Sequence, residues 1–279
     1  MTGTVPELPE VEVARRVVAD VLEGARVVRV HARDTLVAGG LEAVEGMRVD
    51  RAGRRGKWLR LELSGAERGA TLVFAHLGMS GKWIAVGVDE AIVRHERARI
   101  EVVRGKTRAA VAYVDTRRLG RIRVAHEDTE TWKALGPDVL DDGIDAGALH
   151  AALHAKRLTI KEALLDQRIL AGVGNIHAIE ALWRAQIDPR SRTDALTLAD
   201  VRALARGVRA SIAFGLAIYE REARAVYVNE AKGKNPYRVY ERRGEPCPRC
   251  KTPLTKIVLG GRGTTFCSRC QRRIGAKRS

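Results

Sequence analysis

All four cysteines of the chain lie toward its C-terminal end, spaced as Cys247-x2-Cys250, sixteen intervening residues, then Cys267-x2-Cys270. Two close pairs, each on a tight turn, can supply the corners of a tetrahedron, which is the spacing of a four-thiolate zinc ribbon. Four free thiols or a redox pair are the alternative readings. With zinc, the site is structural, because four sulfurs leave no open position for water. The stretch from Glu241 to Ser279 has too few residues for a good core without such a staple. Between the pairs, Ile257-Val258-Leu259 reads as a strand, Gly260-Gly261-Arg262-Gly263 as its hairpin and Thr264-Thr265-Phe266 as the return strand, which would present Arg262 at a glycine-rich tip.

The same segment carries much of the charge. The 279-residue chain has 50 Lys and Arg against 34 Asp and Glu, a net charge of +16, and the residues from Glu241 onward hold +9 of it. A surplus this large points to a polyanionic partner, nucleic acid above all, with general solubility as the plainer explanation. No apolar run approaches the length that a membrane span requires, which excludes an integral membrane helix. The opening residues carry no basic segment followed by an apolar one, so a reducing, cytoplasmic setting is expected, with cysteines that are not disulfides. A monomer is expected as well.

Upstream of the ribbon the hydrophobic period changes once. From about Ala25 to Val124, short β-branched runs such as Arg26 to Val30, Trp58 to Leu63 and Ile100 to Val103 alternate with glycine or charged turns. From about Glu130 to Glu222, Ala and Leu recur at helical spacing in Ala148 to Leu153, Ile160 to Leu170, Ile176 to Ala185 and Leu196 to Phe214. One helix precedes the strands, with Pro9 in its first turn and Val11, Ala14, Val18, Val21 and Leu22 as its apolar stripe. The expected class is therefore α+β: a β-sandwich-like domain preceded by a helix over residues 6–128, a helical domain over 129–228 and a zinc ribbon over 238–273.

Six short motifs run in order through this frame: Pro6-Glu7-Leu8-Pro9-Glu10, Arg54-Arg55-Gly56-Lys57, His76-Leu77-Gly78-Met79-Ser80-Gly81, Asp115-Thr116-Arg117-Arg118-Leu119-Gly120, Leu135-Gly136-Pro137 and Gly172-Val173-Gly174-Asn175. Taken singly, each has a plain structural reading: a rigid helix lead-in, solvated strand ends, ordinary packing of Met79. Together with the ribbon, the series resembles the formamidopyrimidine-DNA glycosylase and endonuclease VIII family, closest to the formamidopyrimidine branch, from Pro6 to about Gln271.

The resemblance implies a base-excision repair enzyme that flips an oxidised purine from duplex DNA, removes it and cuts the strand by β,δ-elimination. It places the nucleophile at Pro6, whose secondary amine would form a Schiff base with the deoxyribose. An α-amino group titrates near ~8 against ~10.4 for lysine, so part of it is neutral at pH 7. The resemblance further makes Glu7 the acid that opens the sugar ring, Lys57 the general acid or phosphate contact in β-elimination, and Arg262 the residue of δ-elimination and phosphate binding. Met79, Arg117 and Leu119 would fill the gap left by the flipped base, a task that requires a wedge because a paired base cannot react inside the stack. Leu119 stands where the family has phenylalanine. Lys156, Lys161, Asn175 and His95 fall at further DNA-contact positions, Asn175 in the turn of a helix-two-turn-helix. His150 and His154 lie four apart on a helix with no third metal ligand apparent, and His177 has no functional reading. The stretch Phe214 to Tyr240, where relatives carry a loop over the flipped base, shows little of the family's glycine-threonine pattern.

Five residues, Met1 to Val5, precede Pro6. If they are retained, the Pro6 nitrogen is a tertiary amide and forms no Schiff base. Initiation at the Val5 codon followed by methionine removal is the preferred escape. Two other readings therefore stand beside the purine-directed enzyme: an endonuclease VIII-like enzyme for oxidised pyrimidines, and a non-catalytic lesion-binding homologue.

Overall fold

The computed structural model describes residues 6–65, 70–221 and 235–275. The chain divides into two compact units, one formed by the first 134 residues with a segment starting at Tyr219, the other by residues 135–218 and the C-terminal part.

The first unit opens with helix α1 (Leu8–Leu22), as Pro9 and the apolar stripe predict, and Val11, Ala14, Val18 and Leu22 are buried. Eight antiparallel strands follow: β1 (Arg26–Ala32), β2 (Arg48–Arg55), β3 (Trp58–Ser64), β4 (Thr71–His76), β5 (Gly81–Val86), β6 (Glu96–Arg104), β7 (Thr107–Asp115) and β8 (Arg121–Ala125). They run in the order β5-β7-β6-β1-β2-β3-β4-β8. The junction between β1 and β2 is thin, with Arg26 opposite Arg48 as its register pair, so the order falls into two four-stranded halves. Alternate residues of both halves, among them Val27, Ile100 and Val111 from one and Val49, Leu61 and Val73 from the other, enter one core with the α1 stripe. This is the expected sandwich-like packing of two inner faces. Two single-turn helices complete the unit, α2 (Thr35–Ala38), capped by Asp34, and α3 (Glu130–Lys133), capped by Thr129.

The second unit contains α4 (Ala146–His154), α5 (Ile160–Leu165), α6 (Asn175–Ala185) and most of α7 (Leu198–Arg221), followed by a hairpin of β9 (Thr255–Leu259) and β10 (Arg262–Phe266). Two helix lengths depart from expectation. The segment predicted to be helical to Leu170 ends at Leu165, because Asp166 takes an extended conformation and the Gln167 side chain bonds the carbonyls of Leu165 and Val173. Conversely, α7 runs seven residues beyond Phe214, continuing through Gly215 to Arg221. Of the stretch from Phe214 to Tyr240, residues 222–234 lie outside the described residues, as do Met1 to Val5. Among the described residues, no helix is long and apolar enough to cross a membrane.

Candidate active site and nucleic-acid interface

Pro6 is buried directly ahead of α1, and Glu7 is the N-cap of that helix. The Glu7 N–H donates to Glu10 Oε2 at 3.0 Å while the Glu7 side chain accepts from the Glu10 N–H, a reciprocal capping box that fixes the entry of the chain. Glu10 is itself buried, and Tyr219 donates its hydroxyl to Oε1 at 2.6 Å. Burial, opposed by the Tyr219 hydrogen bond and reinforced by nearby Glu7, pushes the Glu10 carboxyl up to about 7.

Strand register gathers the other N-terminal candidates. Lys57 follows Gly56, which has φ +57° in the β2–β3 turn, and Trp58 pairs with His76 at the end of β4. The Trp58 and His76 rings are 4.9 Å apart. His76 accepts the Gly78 N–H on Nδ1, which leaves the proton of a neutral ring on Nε2, and burial together with the Lys57 charge lowers it to about 4. Gly81 at the start of β5 pairs with Asp115 at the end of β7, and His76 pairs with Arg121. The loop carrying Met79 and the loop carrying Arg117 and Leu119 therefore meet at the end of the sheet that also holds Lys57. Their backbones touch: a Cβ on Gly78 would lie 2.4 Å from the Leu119 carbonyl carbon, and Cβ atoms on Gly81 and Gly120 would collide with the Tyr113 hydroxyl. Arg117 is exposed and Leu119 is 42 % exposed, an apolar side chain standing among cations. His95 is half-buried in the turn before β6, with φ +65°.

The turn carrying Lys57 is held to α1 through Glu12. Arg54, buried in β2, donates to Glu12 and to the Gly56 carbonyl, and Arg15 and Arg16 complete the grip on Glu12. Burial alone would raise the Glu12 carboxyl, but these three guanidinium groups hold it at about 2.

In the second unit, Gly172 takes φ +100° in the turn before α6, and Gln167 Oε1 accepts its N–H. Asn175 begins α6, and Lys161 from α5 donates to Asn175 Oδ1 at 2.5 Å and to the Thr264 hydroxyl at 3.4 Å. Asn175 in turn donates to the Gly263 carbonyl. Lys161, Asn175 and the strand bearing Arg262 thus form one cluster. Lys161 is fully buried, its ammonium reaching inward to Asn175 and Thr264. One placement differs from expectation. Arg262 is exposed at the first position of β10, opposite Leu259, instead of at the hairpin tip. Gly260 and Gly261, both at positive φ, make the two-residue turn by themselves. Lys156 is exposed just past α4. His150 is engaged with the Leu196 carbonyl, and His177 is buried against Ser211.

The four cysteine sulfurs lie within 4.8 Å of one another, with Cys247 and Cys270 at 3.9 Å and Cys250 and Cys267 at 3.4 Å. A tetrahedron of ~2.3 Å zinc–sulfur bonds has edges of ~3.8 Å, so the residues fit the metal. Gln271 braces the site by accepting the Cys267 N–H and donating to the Ile187 carbonyl.

Nothing in the sequence alone points to a role for Glu10, Tyr219, His76, Glu12 or Asp115. Glu10, His76 and Asp115 lie inside the six motifs, while Tyr219 lies 209 residues from its partner Glu10.

Comparison with known proteins agrees along the chain. Residues 5–122 match the family model of the formamidopyrimidine-DNA glycosylase N-terminal domain, residues 135–224 the H2TH domain of the same enzymes, and residues 244–273 the zinc finger found in FPG and IleRS. The four cysteines are accordingly the site of one structural zinc ion. A formamidopyrimidine-DNA glycosylase of Streptomyces avermitilis is 38% identical, covering 96% of this chain and 98% of its own, and one of Corynebacterium glutamicum (strain R) is 36% identical, covering 96% and 99%. Among solved structures, the Lactococcus lactis Fpg in complex with DNA containing an abasic site superposes with a TM-score of 0.81 at 27% identity, covering 96% of this chain and 100% of that one. The MutM (Fpg) protein of Thermus thermophilus gives 0.79 at 32% identity, covering 95% and 98%. The chain belongs to the formamidopyrimidine-DNA glycosylase family, zinc-finger DNA-repair enzymes with DNA glycosylase and AP lyase activity.

Proposed function

We propose that this protein is a monomeric, bifunctional glycosylase and lyase that excises oxidised purines, 8-oxoguanine and formamidopyrimidines, from duplex DNA through a Schiff base on Pro6. The observation that carries the reading is the meeting of the Met79 loop and the Arg117–Leu119 loop at the sheet end that holds Lys57. An exposed leucine between arginines suits a wedge that enters a base stack while its neighbours meet phosphate. In solved structures of relatives, the bound DNA contains an abasic site, carbocyclic 8-oxo-G, Fapy-dG or an oxidised pyrimidine.

In a chain beginning at Pro6, the amine lies just ahead of the positive end of α1, which disfavours the ammonium form and increases the neutral fraction that attacks C1′. Attack on C1′ expels the base, and loss of the amine proton with ring opening leaves the iminium. Glu7, its backbone fixed by the capping box, is the acid for the ring oxygen. Lys57, beside a neutral His76 that adds no competing charge, serves the elimination step or its phosphate. Lys161 acts through Asn175, orienting the amide toward a phosphate, with Arg262 as the neighbouring cation. Leu119 in place of an aromatic residue reduces stacking on the opposite base. The domains carrying these parts are residues 6–128, 129–228 and 238–273.

Two measurements test the reading. Intact mass of the natively expressed protein should show a chain starting at Pro6; retention of Thr2 to Val5 would favour the non-catalytic lesion binder. Duplexes carrying 8-oxoguanine or an oxidised pyrimidine should be incised with preference for the purine, and the reverse order would favour the endonuclease VIII-like reading.

A further inference from the structure

Asp115 is fully buried, and its carboxylate is filled by donors from two different loops. Oδ1 accepts the Ser80 hydroxyl at 2.5 Å and the Arg117 N–H at 3.1 Å, and Oδ2 accepts the Gly120 N–H at 2.8 Å. The Arg117 N–H is shared with Ser80 Oγ, also at 3.1 Å. The Asp115 backbone reaches one further segment, the turn into β6: its N–H donates to the His95 carbonyl at 3.1 Å, and its carbonyl accepts Arg97 Nε at 2.8 Å. A buried carboxylate is costly unless its lone pairs are satisfied, and here two of the three donors are main-chain groups, so satisfying the charge fixes backbone positions.

The partners coincide with the wedge. Ser80 adjoins Met79, Arg117 N–H and Gly120 N–H bracket Leu119, and His95 is another candidate DNA contact. Arg118, between the two projecting residues, takes φ +56°, and its guanidinium turns away to Asp34 at 2.5 and 3.0 Å. That anchor leaves Arg117 and Leu119 to project. We propose that Asp115 is the positioning residue of the wedge, joining the Met79 loop, the Arg117–Leu119 loop and the His95 turn into one rigid body that enters DNA as a unit. The inference rests on the wedge reading given above. Its physical content is that an apolar side chain can hold a base step open only if its own backbone does not yield. Asp115 touches no DNA in this account. It acts through Ser80, Arg117 and Gly120.

The test uses the full chain and a duplex in which a tetrahydrofuran abasic analogue faces 2-aminopurine, a probe that brightens when it is unstacked and that needs no free Pro6 amine. Affinity is read by anisotropy and wedge insertion by the fluorescence rise at saturating protein. The wild type should brighten the probe on binding. Asp115→Ala should cut the saturated rise by about threefold or more while affinity, carried largely by phosphate contacts elsewhere, changes less than the rise does. Ser80→Ala, which keeps both main-chain donors on the carboxylate, and Asp115→Asn, which keeps one acceptor oxygen, should fall between. If Asp115→Ala does not fold, as judged by its thermal melt, these two milder variants decide the matter. A wild-type rise retained in the variants overturns the positioning role alone, and a rise and affinity that fall in equal proportion mark a general structural defect and overturn it too. Absence of any rise with bound wild type overturns the wedge reading and this inference with it.

Discussion

Replacing Glu10 with glutamine should make the protein more stable at alkaline pH than the native chain. The Glu10 carboxyl is buried, its two oxygens accept from the Tyr219 hydroxyl and the Glu7 N–H, and its pKa rises from the ordinary 4.5 to about 7. A carboxyl with a raised folded pKa binds its proton more tightly in the folded state. Stability is therefore greatest below the unfolded pKa of 4.5, falls as pH rises through the interval, and levels off above about 7. The full interval corresponds to roughly 3 kcal/mol, of which about 2 to 3 kcal/mol falls between about pH 5 and pH 8. Glutamine keeps an acceptor for one donor and carries no charge to desolvate. The difference in stability between Glu10→Gln and wild type should grow by that amount across the same range, equivalent to a relative rise in Tm on the order of 5 to 10 °C. Thermal melts of both proteins, followed through the unfolding of the N-terminal unit at several pH values, read the difference directly. Two curves that stay parallel from acid to alkaline pH would show that Glu10 does not titrate in this range, and the burial account of it would be wrong.

Three other perturbations have outcomes set by the structure. Stripping zinc with a chelator should release the β9–β10 hairpin from Lys161 and Asn175 and lower DNA affinity by about tenfold or more, the metal contributing the folding energy of the ribbon; equal affinity of the metal-free protein would contradict the cluster. Gly120→Ala puts a Cβ 1.7 Å from the Tyr113 hydroxyl, so it should cost about 2 kcal/mol or more, and adding Tyr113→Phe should recover part of the loss in a double-mutant cycle; additive effects would contradict the clash. Arg54→Ala removes a fully buried partner of Glu12 and should cost roughly 3 kcal/mol in chemical denaturation. Because the lowered Glu12 pKa stabilises the fold above 4.5 and loses that contribution as pH falls toward about 2, the variant should also denature at a higher pH in acid titration; an unchanged acid limb would refute the role of Arg54.

What was legible in the sequence follows the range of the interactions involved. The zinc site depends on two local turns, so the cysteine spacing suffices to identify it. Period-two alternation in Trp58 to Leu63 and the stripe of α1 likewise depend on which face is buried, and both elements form where expected. The Arg262 hairpin turned on two residues of register, since Gly260 and Gly261 can close the turn alone and so move Arg262 from the tip into the strand. Burial of Lys161 was not legible, because its partners Asn175 and Thr264 come from two later segments. The same holds for Asp115, which reads as one letter of a motif until strand register brings Ser80 beside it, and for Glu10, whose pKa is set largely by burial and by a tyrosine at the far end of α7.

The central claim is that the nitrogen of Pro6 is the nucleophile. Borohydride reduction of the protein with abasic-site duplex DNA, followed by peptide mapping of the covalent adduct, tests it most directly. The account predicts a stable protein–DNA adduct whose DNA remnant lies on an N-terminal peptide beginning with Pro6-Glu7-Leu8. An adduct on a lysine side chain, or none from a chain shown by mass to begin at Pro6, would contradict it.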